Sequence, residues 1–111
     1  MRKFNPNNYD NSTVMFCPTE ESARIFISFL GELGMKWGDG TEMNGSRTRY
    51  DEYEETTCYR FNAGRYGSLE HYKENAYVIL DFDDFDWGET AQAELISFDE
   101  AFFGVENQTT I

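Results

Sequence analysis

Asp81-Phe82-Asp83-Asp84-Phe85-Asp86 puts four carboxylates into six residues. Carboxylate oxygens that converge on one point bind hard cations such as Ca²⁺ or Mg²⁺. An EF-hand loop needs oxygen side chains at its first, third and fifth positions and Gly at the sixth. Counted from Asp81, the fifth position is Phe85 and the sixth is Asp86. On an extended strand Asp81 and Asp83 share a face and could clamp one Mg²⁺ weakly with substrate phosphates, but the run reads better as a solvated acidic strand end or a partner surface. No metal or cofactor is expected.

The run belongs to a wider field. After Lys73 there is no basic residue, and the remaining 38 positions carry ten carboxylates among seven aromatic rings. Residues 1 to 50 balance six cations against six anions, whereas residues 51 to 111 carry three and fifteen, so the net charge of -12 lies in the second half. Such a field repels nucleic acid and attracts basic surfaces. Duplex DNA presents about one charge per 1.7 Å of axis, so ten carboxylates match roughly 17 Å of duplex. A DNA-mimicking surface of Asp81, Asp83, Asp84, Asp86, Glu89 and Glu94 would suit the basic channel of a nucleic-acid enzyme. The alternative is an acidic surface that only keeps the chain soluble.

A second constellation runs against this trend. Between residues 47 and 73, Arg47, Arg49, Arg60, Arg65 and Lys73 interleave with Tyr50, Tyr53, Tyr59, Tyr66 and Tyr72. Guanidinium groups pair phosphate and tyrosine rings stack on bases, so Arg47, Arg49, Arg60 and Arg65 with Tyr50 and Tyr66 are candidates for holding a small anionic nucleotide. Ordinary sheet surface, with Arg stems over Tyr faces and Asp51, Glu52, Glu54 and Glu55 nearby, gives the same pattern. His71 is the only histidine, and Cys17 and Cys58 stand 41 positions apart without a CxxC pair. They read as buried strand thiols rather than a disulfide or zinc pair. There is no GxSxG elbow, P-loop, GxGxxG turn or HExxH helix, so the chain is read as a non-enzyme with no catalytic residues.

The elements that must position these groups fit one domain, since 111 residues can build one core and not two. Nineteen aromatic residues argue for a folded chain despite its charge. Residues 1–12, rich in Asn, read as a flexible N-terminal arm, and residues 13–111 as a single α+β domain with an acidic C-terminal region. Thr13 to Cys17 reads as a strand stopped by Pro18. Thr19 is an N-cap for a helix whose Phe26, Phe29, Leu30 and Leu33 recur at helical spacing, with Gly34 at C′. Met35 to Trp37 reads as a strand and Gly38 to Ser46 as one irregular connection. Thr56 to Phe61 is a strand, Asn62 to Ser68 a turn, and Ala76 to Phe82 a strand with Val78, Leu80 and Phe82 on one face. The tail fits either a helical stripe through Ala91, Leu95, Phe98 and Phe102 or a strand followed by a helix capped at Ser97. The expected architecture is therefore one main helix on a mostly antiparallel sheet of about four strands.

Thr19-Glu20-Glu21 with its helix, Lys36-Trp37-Gly38, Thr57-Cys58-Tyr59 and Tyr77 to Phe85 together resemble small uncharacterised proteins of bacteriophages and mobile elements of Gram-positive bacteria. The resemblance spans roughly residues 13 to 86, implies a β-α-β order and carries no functional residues. By analogy at the level of class, it implies a non-enzymatic inhibitor of the anti-CRISPR or anti-restriction type. Its partner would be a host protein with a basic, nucleic-acid-binding surface, without direct nucleic acid or membrane contact, in the host bacterial cytoplasm. The alternatives are a sponge that sequesters an anionic nucleotide signal and a structural or assembly protein of a phage or mobile element.

Overall fold

The structure is a computed structural model and describes residues 2–88. The expectations for Glu89, Glu94 and the tail helix lie outside the described residues. The architecture is α+β, built on a four-stranded sheet with spatial order β4-β3-β2-β5, where β2 is Thr13–Phe16, β3 Thr57–Arg60, β4 Arg65–Ser68 and β5 Val78–Asp81. β2–β3 and β3–β4 are antiparallel, and β2–β5 is parallel. A two-stranded parallel sheet joins β1, Arg2–Lys3, to β6, Phe85–Asp86.

The helix α1, Glu20–Glu32, starts where the caps predict. The Thr19 hydroxyl accepts from the Ser22 amide at 3.0 Å, and the Ser22 hydroxyl accepts from the Thr19 amide at 3.0 Å, a reciprocal capping box. Gly34 ends it with φ of 82°. Its buried stripe is Ala23, Ile25, Phe26, Ile27 and Leu30, packed on Met15 and Tyr59 from one face of the sheet. Leu33 does not join this core as expected; it is the C-cap residue beyond the helix and is 54% exposed. The other face carries Val14, Cys58 and Tyr72, with Phe16, Leu69, Tyr77 and Ile79 around them. Two shorter helices follow, α2, Tyr50–Tyr53, and α3, Leu69–Glu74, and α3 crosses this face between β4 and β5.

Four further expectations are corrected. The arm is docked: Phe4 is buried, with its ring centroid 5.1 Å from Phe61, 5.4 Å from Phe85 and 5.5 Å from Phe26, so one large ring anchors an otherwise polar segment. Met35 to Trp37 adds no strand to the sheet and forms only a single bridge, Lys36 to Glu42. The fourth strand is instead Arg65–Ser68, inside the stretch expected to turn; the turn is confined to Phe61–Ala63 and Gly64. Val78 sits 54% exposed on an edge strand, while Leu80 and Phe82 do reach the α1 core.

Both cysteines are buried free thiols. Burial pushes the Cys58 thiol up to about 12 and raises Cys17 as well. No helix among the described residues is long and apolar enough to cross a membrane.

Candidate functional site

The acidic run and the Arg–Tyr constellation end up in different settings. In the run, the rings turn inward and the carboxylates outward: Phe82, Phe85 and Trp87 are buried, and Trp87 Nε1 donates to the Phe82 carbonyl at 2.9 Å. Asp83 and Asp84 are exposed. Asp81 and Asp86 are half-buried and engaged locally, accepting from the Asp83 amide at 2.9 Å and the Gly88 amide at 3.0 Å. Two cations lie alongside, since β1 pairs Arg2 with Phe85 and Lys3 with Asp86, and the Arg2 guanidinium sits 4.8 Å over the Phe85 ring. The described acidic stretch is a capped turn with two free carboxylates. No group of three or more His, Cys, Asp or Glu among the described residues is placed to hold a metal ion.

Four of the Arg–Tyr candidates, Arg49, Arg60, Arg65 and Tyr66, gather near the β4 edge of the sheet. Arg60 and Arg65 are direct partners in the antiparallel β3–β4 ladder, so both side chains leave the same face, the one covered by α3. Arg60 is fixed there: its Nε donates to the Asn11 carbonyl at 2.7 Å, and its guanidinium lies 5.2 Å over the Tyr77 ring. Tyr77 packs edge-on against Tyr72 at 4.9 Å, and Tyr72 against His71 at 5.2 Å. Gly67 makes room for Tyr72, since a Cβ there would meet the Tyr72 ring at 3.2 Å.

The loop after α1 closes the other side. The Trp37 amide donates to the Thr41 carbonyl and the Gly40 amide to the Trp37 carbonyl, each at 2.8 Å, while the Asp39 carboxylate accepts from the Thr41 amide and hydroxyl. Those bonds from Thr41, with Arg49 nearby, hold Asp39 below the ordinary carboxylate range. Gly38 then donates to the Gly64 carbonyl at 2.9 Å, joining the loop to the β3–β4 turn. Further along, the Tyr59 hydroxyl donates to the Thr48 carbonyl and the Tyr50 hydroxyl to the Pro18 carbonyl, which hold the segment bearing Arg49 against the core. Arg49 adopts φ of 63°, and its guanidinium lies 5.9 Å over the Trp37 ring.

The result is one cleft of about 600 Å³ that takes in Arg49, Arg60, Arg65 and Tyr66 from the sequence candidates. Arg47 and Tyr50 line a separate recess of about 450 Å³ beside Glu20 and Asp51, with Arg49 shared between the two. Tyr59, one of the interleaved tyrosines, is a core residue. The cleft adds Trp37, His71, Tyr72 and Tyr77, which the sequence did not nominate as site residues. Burial pushes the Tyr72 hydroxyl up to about 12, and a hydrogen bond with Glu52 raises Tyr66. Near neutral pH both phenols keep their protons and act as hydrogen-bonding groups, not bases. The arrangement can pair an anion and stack a planar ring. Comparison with family models, curated proteins and solved structures found no match for this chain.

Proposed function

We propose that the protein is a binding module that sequesters a small anionic nucleotide-class ligand in the cleft at the β4 edge. The supporting observation is the Arg60–Arg65 pair. Like charges directly opposite each other in an antiparallel ladder are destabilising, and two guanidiniums on one face form a phosphate-pairing fork when an anion lies between them. The half-buried Tyr77 and the exposed His71 lie beside that pair as ring surfaces for a base. A phosphate between the two guanidiniums would relieve their like-charge juxtaposition.

Purification from a bacterial lysate at low salt, followed by heat release and mass spectrometry, tests this reading. The expected result is an ultraviolet-absorbing nucleotide that the Arg60→Gln/Arg65→Gln variant does not retain. Retention of the same nucleotide by that variant would count against the cleft.

The exposed Asp83 and Asp84 favour a second reading, in which the acidic turn docks on a basic surface of a partner protein. Asp83→Asn/Asp84→Asn would then slow association with that partner, and the effect would shrink as salt rises.

A further inference from the structure

Two polar groups among the described residues are buried without a partner, Trp37 Nε1 and Arg49 Nε, and both residues line the same cleft. Indole nitrogen can only donate, and so can the guanidinium, so what both lack is an acceptor. Trp37 is 6% exposed, and a buried donor without an acceptor is a cost that native structures rarely carry without reason. Strand alternation gives these groups a side. Tyr66 pairs with Tyr59 and leaves the α1 face, whereas Arg65 leaves the α3 face. Trp37 packs on Tyr66 at 6.0 Å and carries Arg49 above its ring, so this side repeats the combination of cation and aromatic rings that Arg60, Tyr77 and Tyr72 make on the other. The two stations flank one edge strand.

We infer that the ligand is two-headed: a dinucleotide anchored through phosphate at Arg60 and Arg65, with one base at His71 and Tyr77 and the second across the β4 edge at Trp37 and Arg49. This rests on the nucleotide reading above. A single nucleotide held at Arg60 and Arg65 leaves the two orphan donors unmet, while the ring nitrogens and carbonyl oxygens of a second base supply acceptors for them. The cleft volume of about 600 Å³ lies inside the range of roughly 300–1,000 Å³ usual for ligand sites, with room beyond one base. Arg49 is held in a left-handed conformation, φ 63°, that non-glycine residues take at a cost, between Thr48, whose carbonyl accepts from the Tyr59 hydroxyl, and Tyr50, whose hydroxyl donates to the Pro18 carbonyl. Its guanidinium lies over the Trp37 ring before any ligand arrives.

Calorimetric titration of the full chain with AMP and GMP, and with the linear 5′-phosphorylated dinucleotides pApA and pGpG, tests the inference. At least one dinucleotide is expected to bind ten-fold or more tighter than its mononucleotide. Arg49→Lys, which keeps the charge and removes the Nε donor, should erase most of that advantage, read as the dinucleotide-to-mononucleotide affinity ratio on the same variant; Arg49→Gln should do the same, and both variants should melt within a few degrees of the parent. Equal affinity for mono- and dinucleotides, or a dinucleotide advantage that survives both Arg49 variants, would overturn the two-headed ligand while leaving the cleft itself standing. Absence of binding by all four compounds would overturn the nucleotide reading and this inference with it.

Discussion

Gly64 holds the floor of the cleft together. Its φ is 65°, and a Cβ there would lie 2.5 Å from the Gly38 nitrogen, 2.6 Å from the Lys36 carbonyl oxygen and 2.7 Å from the Trp37 carbonyl carbon. All three neighbours are backbone atoms that cannot swing aside. Gly64→Ala should therefore cost more than the ~1–2 kcal/mol of the left-handed conformation alone, read as a shift of the urea midpoint. A loss below about 1 kcal/mol would mean the two loops are not locked together. The buried hydroxyl and thiol groups set a second expectation. Tyr72 and Cys58 are each held up to about 12, from ordinary values of 10.0 and 9.0. Both bind their protons more tightly in the fold than in the unfolded chain, so their stabilisation is complete below about pH 9 and is lost as pH rises towards about 12. Stability measured by urea denaturation should fall across that window; a midpoint unchanged up to pH 12 would contradict the burial of these groups. At this scale the sequence singled out Arg49, Arg60, Arg65 and Tyr66, which the structure brings to one cleft, together with Arg47 and Tyr50, which it places in another recess. Trp37, His71 and Tyr77 were not singled out, since their membership depends on the Gly38–Gly64 contact and on α3 crossing the sheet, neither of which leaves a local signal.

The elements divide in the same way. The helix α1 was legible at both ends because its caps are chemical: a Thr19 hydroxyl that accepts an amide proton and a Gly34 that takes positive φ. Edge strand β4 was not, because Arg65-Tyr66-Gly67-Ser68 has turn-like composition and becomes a strand only through its pairing with β3. The N-terminal segment was misread for a different reason: one aromatic among asparagines carries little weight in composition and much in packing. Phe4→Ala should destabilise by about 3–5 kcal/mol, the range for emptying a buried aromatic site, and a loss under 1 kcal/mol in chemical denaturation would restore the free arm. Gly31 offers a test of how the loop lies on α1. Replacing an interior helical glycine by alanine usually gains up to about 1 kcal/mol. Here the added Cβ would lie 2.1 Å from the Met43 carbonyl oxygen, so Gly31→Ala should destabilise. A stabilised variant would show that the loop through Met43 does not press on the helix.

At the scale of the whole molecule, a chain of net charge -12 carries a cleft that contains three arginines. On the proposed reading the net charge opposes long nucleic acid, while a small anion pairs with those arginines. Charge asymmetry along the chain was plain in the sequence. What it did not convey is that Asp81 and Asp86 are engaged in local caps two residues long, or that β1 brings Arg2 and Lys3 beside Phe85 and Asp86, which follows from pairing with the chain's first residues. The acidic turn and the cleft make opposite demands on mutation. The most direct measurement is titration of one purified, tight-binding nucleotide against the parent protein, Arg65→Gln and Asp83→Asn/Asp84→Asn under identical salt. The cleft account predicts that Arg65→Gln weakens binding ten-fold or more and that the acidic variant binds as well as the parent or slightly better, since it repels the ligand less. Unchanged affinity in Arg65→Gln, or a comparable loss in the acidic variant, would contradict it.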